Sequence, residues 1–144
     1  MEGEEGVKNL FDASAIYPLL KKLKASIYDV IEAIGVLDLT KYEVGNTIWV
    51  EAVRGLIPDW LPVSRAWSDV FKIITELEID DVSGVEEIAM KLNLTFYDAS
   101  YIYVAYRRSL TLVTEDREMR RKAAEMGVEA VAVDEFIESM KRIQ

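Results

Sequence analysis

The stretch Phe96 to Asp116 reads FYDASYIYVAYRRSLTLVTED, and its reading decides the fold. After Asp98, the residues Ala99, Ile102, Tyr103 and Tyr106 recur at helical spacing, and Leu110-Thr111-Leu112-Val113 then reads as a short buried strand. A helix of about ten residues climbs ~15 Å, and about five extended residues return ~17 Å. With a tight connection at Arg108–Ser109 the two lengths nearly cancel. Asp98, which opens the helix, and Asp116, which closes the strand with Glu115 beside it, then finish at one edge of the domain. That edge is the candidate active site.

Working outward from this unit, Val7 to Phe11 reads as a first strand that stops at Asp12. Ala15 to Lys24 is a helix that starts near Ser14 or Ala15, leaving Pro18 around its first turn. Ile27 to Ile34 reads as a second helix or a continuation of the first, ended by Gly35, and Val36 to Leu39 as a second strand. Thr40 is a good N-cap, with Glu43 three residues later as in a capping box. Gly45, Ile48, Trp49, Ala52, Val53 and Leu56 form the apolar stripe of that helix, and Gly55 and Pro58 end it. Val63 to Leu77 is a further amphipathic helix, Ile79 to Val82 a short edge strand, and Ser83 caps a helix from Val85 to Leu92. Downstream, Glu118 to Met126 is helical, Val128 to Val133 is a strand, and Asp134 caps the last helix. Strands alternating with helices predict an α/β fold with a mostly parallel sheet of four or five strands. Ligands of such sheets bind beyond the carboxyl ends of the strands, where Asp12 and Asp116 both stand.

With 144 residues, the chain reads as one domain, residues 7–144, preceded by an acidic, Gly-rich and flexible extension, residues 1–6. Its apolar runs are too short to span a membrane and its start lacks the apolar core of a secretory signal, so a cytoplasmic location is the default. The chain contains no histidine and no cysteine. That excludes disulfides, thiolate nucleophiles, imidazole bases and zinc fingers, and leaves only oxygen ligands for any metal, which favours Mg²⁺, Mn²⁺ or Ca²⁺. A net charge of −9 argues against binding a polyanion. Against that, Arg107, Arg108, Arg117, Arg120, Arg121 and Lys122 cluster near the acidic edge, and bound divalent cations offset negative charge locally.

Each acid has a plain explanation when taken alone. Asp12, Asp98 and Asp116 can each cap a helix, and Glu43 sits in a first turn, where the helix dipole favours a carboxylate. Capping explains why acids stand at helix starts. It does not explain why the acids that end two strands share the edge where ligands bind. Carboxylates brought together there repel one another unless cations sit among them.

Phe11-Asp-Ala-Ser14, Tyr42-Glu-Val-Gly-Asn46, Tyr97-Asp-Ala99 and Leu112-Val-Thr-Glu-Asp116 resemble, in order and spacing, the acidic motifs of PIN-domain ribonucleases, above all the VapC-like toxins of toxin–antitoxin modules. The resemblance runs from Val7 to Phe136. It implies a three-layer α/β/α fold and a metal-dependent endoribonuclease that hydrolyses single-stranded RNA. Asp12, Glu43, Asp98 and Asp116 are the implied catalytic, metal-binding acids, with Asp12 as the bridge, Glu43 and Asp98 completing one site and Asp116 the other. Ser14 and Thr114 match hydroxyl positions that support carboxylates or a water, and Asn46, one turn after Glu43, an outer supporting amide. Glu115 is expected to point away. One or two Mg²⁺ or Mn²⁺ ions are the implied cofactors, since they activate water and neutralise phosphate charge without a histidine. Arg117, Arg108 and Arg120 are the implied RNA contacts, with an ordinary solvated helix face as the alternative for each. Trp49 and Trp67 read as core or partner contacts. Leu56, Ile57, Trp60 and Leu61 form an apolar patch suited to a homodimer mate or an antitoxin helix.

The competing reading is a catalytically inactive interaction protein on the same fold, its acids serving as helix caps. A phosphoacceptor receiver domain is disfavoured because Phe11, not an acid, precedes Asp12 and the last strand ends Val133-Asp134 without a lysine. A haloacid-dehalogenase-type phosphatase wants a second acid two residues after Asp12, where Ser14 stands.

Overall fold

The strands are short, and each turns successive side chains to opposite faces. The computed structural model describes residues 2–143, so Met1 of the expected extension and Gln144 at the far end lie outside the described residues. Five strands, β1 (Asn9–Phe11), β2 (Ile34–Leu37), β3 (Thr75–Leu77), β4 (Thr111–Val113) and β5 (Ala130–Val131), form one sheet in the order β3-β2-β1-β4-β5. Every pairing is parallel. Leu10, Leu37 and Leu112 face one core while Phe11, Val36 and Val113 face the other. The first core is covered by α5 (Val82–Leu92), α6 (Phe96–Arg108) and α7 (Arg117–Glu125). The second is covered by α2 (Ala13–Leu23), α3 (Asp38–Val53), α4 (Trp60–Ile73) and α8 (Val133–Ile143). The result is a three-layer α/β/α sandwich. A single helical turn, α1 (Glu2–Glu5), precedes β1, and Glu4 pairs with Arg108 at 3.4 Å.

The strand order places the site. From β1 the chain moves outward through β2 to β3, then returns to lay β4 on the other flank of β1. The carboxyl ends of β1 and β4 therefore flank the point where the order reverses, the ligand crevice of an open parallel sheet. Register fixes the detail: Phe11 lies beside Val113, and the Asp12 amide donates to the Val113 carbonyl at 3.2 Å, so Asp12 arrives next to Thr114.

Several boundaries differ from expectation for identifiable reasons. Asp12 itself caps α2, so the helix starts at Ala13 and Pro18 falls beyond its first turn; lacking an N–H, Pro18 gives Ser14 no helical donor. Ile27 to Ile34 is not an α-helix but two 3₁₀ segments, Lys24–Asp29 and Ile31–Ala33, leading into β2. α3 begins at Asp38, which puts Thr40 inside the first turn instead of at the cap. The predicted helix from Val63 to Leu77 stops at Ile73, where a β-branched run Ile73-Ile74-Thr75 enters the edge strand β3. The predicted strand from Ile79 to Val82 is accordingly absent. Asp81, not Ser83, is the N-cap of α5, and Ser83 donates to its carboxylate at 2.7 Å. α6 is capped by Thr95, so Asp98 lies within the helix, and Ser109 ends it in the left-handed region. The strand expected from Val128 to Val133 shrinks to β5, and Val133 already belongs to α8.

Candidate active site

Asp12 is the buried centre of the acidic edge, 8% exposed. Its Oδ1 accepts from the Ala15 amide at 3.1 Å and the Ser14 hydroxyl at 2.7 Å, and its Oδ2 from the Thr114 hydroxyl at 2.5 Å. A carboxylate offers about four lone-pair directions, so one on Oδ2 is left over. Burial raises the Asp12 pKa above the usual carboxylate range, the bonds from Ser14, Thr114 and Ala15 pull it back, and the nearby Asp98 charge adds to the rise. Thr114 is fully buried, and its hydroxyl also accepts from the Asp116 amide at 3.2 Å. Ser14 accepts from the Glu115 amide at 3.0 Å and lies 3.2 Å from the Thr114 hydroxyl.

Glu43 reaches the same edge from the second turn of α3. It is half-buried and accepts from the Tyr101 hydroxyl at 2.6 Å. Burial raises its pKa, the Tyr101 bond opposes the rise, and the charges of Asp12 and Asp98 add to it. Tyr101 is wholly buried and also lies 2.8 Å from the Thr40 hydroxyl, which accepts from the Leu37 amide at 3.1 Å. An ionised Glu43 only accepts, so Tyr101 donates to it and Thr40 donates to Tyr101. A chain of hydrogen bonds thus runs from the end of β2 to Glu43. This role of Thr40 and Tyr101 escaped the sequence reading: Thr40 looked like a cap, and Tyr101 falls outside the apolar stripe of Ala99, Ile102, Tyr103 and Tyr106.

Asp98 projects from the first turn of α6. Burial raises its pKa, the Asp116 charge raises it further, and Thr95 and Lys122 lower it. The couplings run Asp12–Asp98, Asp12–Glu43, Glu43–Asp98 and Asp98–Asp116, so Asp98 feels or is felt by each of the other three. Asp116 is exposed and caps α7, its Oδ1 accepting from the amides of Glu118 at 2.9 Å and Met119 at 3.1 Å. Glu115 turns elsewhere and accepts from the Val133 amide at 2.7 Å, at the start of α8. Asn46 is exposed and lines a groove of about 420 Å³ with Ser14, Tyr17, Glu43 and Thr47.

The basic residues separate by position. Arg117 is exposed at the first residue of α7, directly after Asp116. Arg120 instead turns inward and donates to the Thr114 carbonyl at 2.6 Å, bracing the loop that carries Thr114. Arg108 ends α6, ten residues from Asp98 and so ~15 Å along the helix. Its pairing with Glu4 places it at the opposite edge of the sheet, away from the acids. Lys122, read from sequence only as part of the basic cluster, is the cation that acts on Asp98; its ammonium donates to the Asn93 carbonyl at 3.1 Å and pairs with Glu118 at 3.4 Å.

The donor chemistry of the edge fits a hard cation: oxygen atoms only, several mutually repelling charges, and a spare lone pair on Asp12. Among the described residues, however, no three acids are drawn close enough to chelate an ion with the side chains as placed.

No family model matches the chain. Exonuclease VapC9 of Pyrobaculum aerophilum is 42% identical over 120 residues, which is 81% of this chain and 86% of the relative. Ribonuclease VapC3 of the same organism is 31% identical over 90 residues, 60% of this chain and 68% of the relative. The crystal structure of PAE2754, also from Pyrobaculum aerophilum, matches the fold with a TM-score of 0.86 at 36% identity, covering 99% of this chain and 94% of that one.

Proposed function

Since this chain belongs to the VapC family of PIN-domain proteins, we propose that it is a nuclease, and more narrowly a metal-dependent endoribonuclease of single-stranded RNA that serves as the toxin of a toxin–antitoxin pair. One observation carries the reading. Asp12, Glu43, Asp98 and Asp116 come from four separate elements that converge on the switch point of the sheet, where burial and then the charges of neighbouring acids raise the pKa values of Asp12, Glu43 and Asp98. Two of the four do not cap anything: Thr95 caps α6 in place of Asp98, and Glu43 bonds to Tyr101. The interaction-protein reading draws support from Asp12 and Asp116, which do cap, and leaves Glu43 and Asp98 without a reason to be half-buried beside like charges.

Asp12, Glu43, Asp98 and Asp116 would hold one or two Mg²⁺ or Mn²⁺ ions. A bound ion of that kind supplies neutralisation of phosphate charge and a more acidic water. The protein's own contribution is positional. Ser14, Thr114 and the Ala15 amide lock the Asp12 carboxylate so that its spare lone pair faces a fixed direction. Tyr101 does the same for Glu43. Lys122 offsets part of the charge on Asp98, and Arg117, at the mouth of the site, is the residue for a phosphate of the RNA backbone.

An exposed apolar surface lies on α3 and α4. Trp49, Val53, Leu56 and Trp60 are each more than half exposed, and Trp49, Val53 and Trp60 border a cavity of about 490 Å³ between α3 and α4. Trp67, by contrast, is core. Contiguous apolar surface of this kind marks protein contact sites, which supports the proposals of a homodimer and of an antitoxin partner. No helix among the described residues is long and apolar enough to cross a membrane, and action on cytoplasmic RNA is part of the proposal.

The test uses a single-stranded RNA closed into a circle. Cleavage with Mn²⁺ or Mg²⁺, none with EDTA, and none by Asp98→Asn is the expected result. Digestion of open-ended RNA alone, from its ends, makes the enzyme an exonuclease, as the name of the VapC9 relative has it. No cleavage of any RNA, with no divalent-ion binding by calorimetry, leaves the interaction protein.

A further inference from the structure

Beside the acids, a second cleft opens where the carboxyl ends of β2 and β3 meet the first turns of α3 and α6. It encloses about 670 Å³, within the range of small-molecule sites. Tyr42 and Tyr97 line it, 65% and 62% exposed, with Phe96 packed more deeply against the core. Its remaining polar lining is Ser100, whose hydroxyl is spent on the Phe96 carbonyl at 2.8 Å, and three acids, Asp38, Glu76 and Glu78.

Two dipeptides tie this cleft to the acidic edge. Tyr42 precedes Glu43 on α3, and Tyr97 precedes Asp98 on α6. Consecutive helical residues point roughly 100° apart. Each helix therefore turns an acid toward the site and the ring before it toward the cleft. Measured by strand spacing from Asp12, the ends of β2 and β3 lie roughly 5–10 Å away. A chain held at the acids by its phosphate has the next base within reach of both rings.

The lining chooses what enters. Exposed tyrosine rings accept the flat face of an unpaired base, which is how single strands are commonly held. Three carboxylates repel a phosphate but accept N–H donors. Lys41 bridges two of them, Asp38 at 2.8 Å and Glu76 at 3.5 Å, and sits 5.8 Å from the Tyr42 ring, so it holds that side of the cleft together. Adenine and cytosine present an exocyclic amino donor where uracil presents a carbonyl acceptor.

We propose that this cleft binds one unpaired base of the substrate strand next to the scissile phosphate, stacked on Tyr42 and Tyr97, and that its acidic lining selects adenine or cytosine over uracil. The inference rests on the nuclease reading above.

The test measures binding of short fluorescent oligoribonucleotides of adenine, cytosine or uracil alone to the full chain in EDTA, by anisotropy, and cleavage of the same RNAs with Mn²⁺. The adenine and cytosine strands are expected to bind about tenfold more tightly than the uracil strand. A double variant, Tyr42→Ala with Tyr97→Ala, is expected to lose roughly 5- to 100-fold in affinity, whereas Tyr42→Phe with Tyr97→Phe keeps it. Both positions are exposed, and an unchanged melting temperature verifies that the variants fold. Equal affinity for all three strands, or full affinity in the alanine variant, overturns the cleft assignment; cleavage by the wild type in that case leaves the nuclease reading standing. Failure to bind or cleave any of the strands overturns both.

Discussion

Removing one oxygen atom, by Tyr101→Phe, tests the geometry of the site without disturbing its shape. The Tyr101 ring is packed on all sides in the core, and phenylalanine refills that space. What disappears is the hydroxyl between Glu43 at 2.6 Å and Thr40 at 2.8 Å. A hydrogen bond to a charged group contributes about 1.5–3 kcal/mol, and a stranded buried hydroxyl costs about 1–3 kcal/mol. Glu43 is only half-buried and recovers part of its loss from water, and Thr40 still accepts from Leu37. A net destabilisation of about 2 kcal/mol follows, which for a domain of this size lowers the melting temperature by ~6–8 °C. Because the lost bond favours the ionised carboxylate, the effect is largest near neutral pH and shrinks once Glu43 is protonated. The same loss pushes the Glu43 pKa further up, since Tyr101 is what opposes burial there. The acid limb of the rate–pH profile should therefore move toward neutral pH. Thermal melts near neutral and at about pH 4, together with cleavage rates across that range, read both effects. Equal destabilisation at the two pH values and an unmoved acid limb refute the hydrogen-bonded chain from Thr40 to Glu43.

Asp12, Glu43 and Asp98 all have folded pKa values above their ordinary ones. Such groups favour the folded state fully below the unfolded pKa, and that contribution is lost as pH rises through the folded value. With EDTA present, the melting temperature should fall as pH is raised from about 4 toward neutral, and adding Mn²⁺ at neutral pH should restore it; a flat profile with no metal response contradicts this. Asp98→Asn removes the charge that couples to the other three acids, so it should abolish cleavage while raising the metal-free melting temperature, and a drop in that temperature counts against the repulsion argument. Arg117→Ala should weaken RNA binding and reduce the salt slope by about one. Arg108→Ala, at the far edge, should leave that slope alone; the reverse pattern, read by titration at several salt concentrations, would displace the RNA path.

How much of this was legible in the sequence depends on the range over which each feature is encoded. The alternation of strands and helices, and the acids at their junctions, are local patterns. A parallel sheet turns such patterns into one shared edge, because every strand delivers its carboxyl end there. That is why Asp12 and Asp116 were placed from the sequence alone. The start of α3 was misplaced because Thr40 has the composition of a cap, while its hydroxyl is occupied by Leu37 and by Tyr101, sixty-one positions away. Nothing near Tyr101 announces that contact; it appears only when α3 and α6 pack. Leu77 read as the end of a helical stripe because its spacing fits, although the β-branched residues before it favour the strand that forms. Arg108 and Arg117 look alike as charges in a list, and only the length of α6 separates them by the width of the sheet.

Capping and the proposed catalysis need not be rival explanations of the acids. The edge that gathers strand ends also gathers helix starts. Asp12 caps α2, Asp116 caps α7 and Asp98 lies in the first turn of α6. Each helix start carries roughly half a positive charge from its aligned peptide dipoles. Those partial charges, with Lys122, lower the cost of holding four carboxylates within reach of one another before any cation arrives. They do not remove it: burial raises the pKa values of Asp12, Glu43 and Asp98 most, and the charges of neighbouring acids add to the rise. On the proposed reading, a divalent ion would relieve the repulsion that remains. A helix-cap function alone accounts for Asp12 and Asp116, and leaves Glu43 and Asp98 without a part in it.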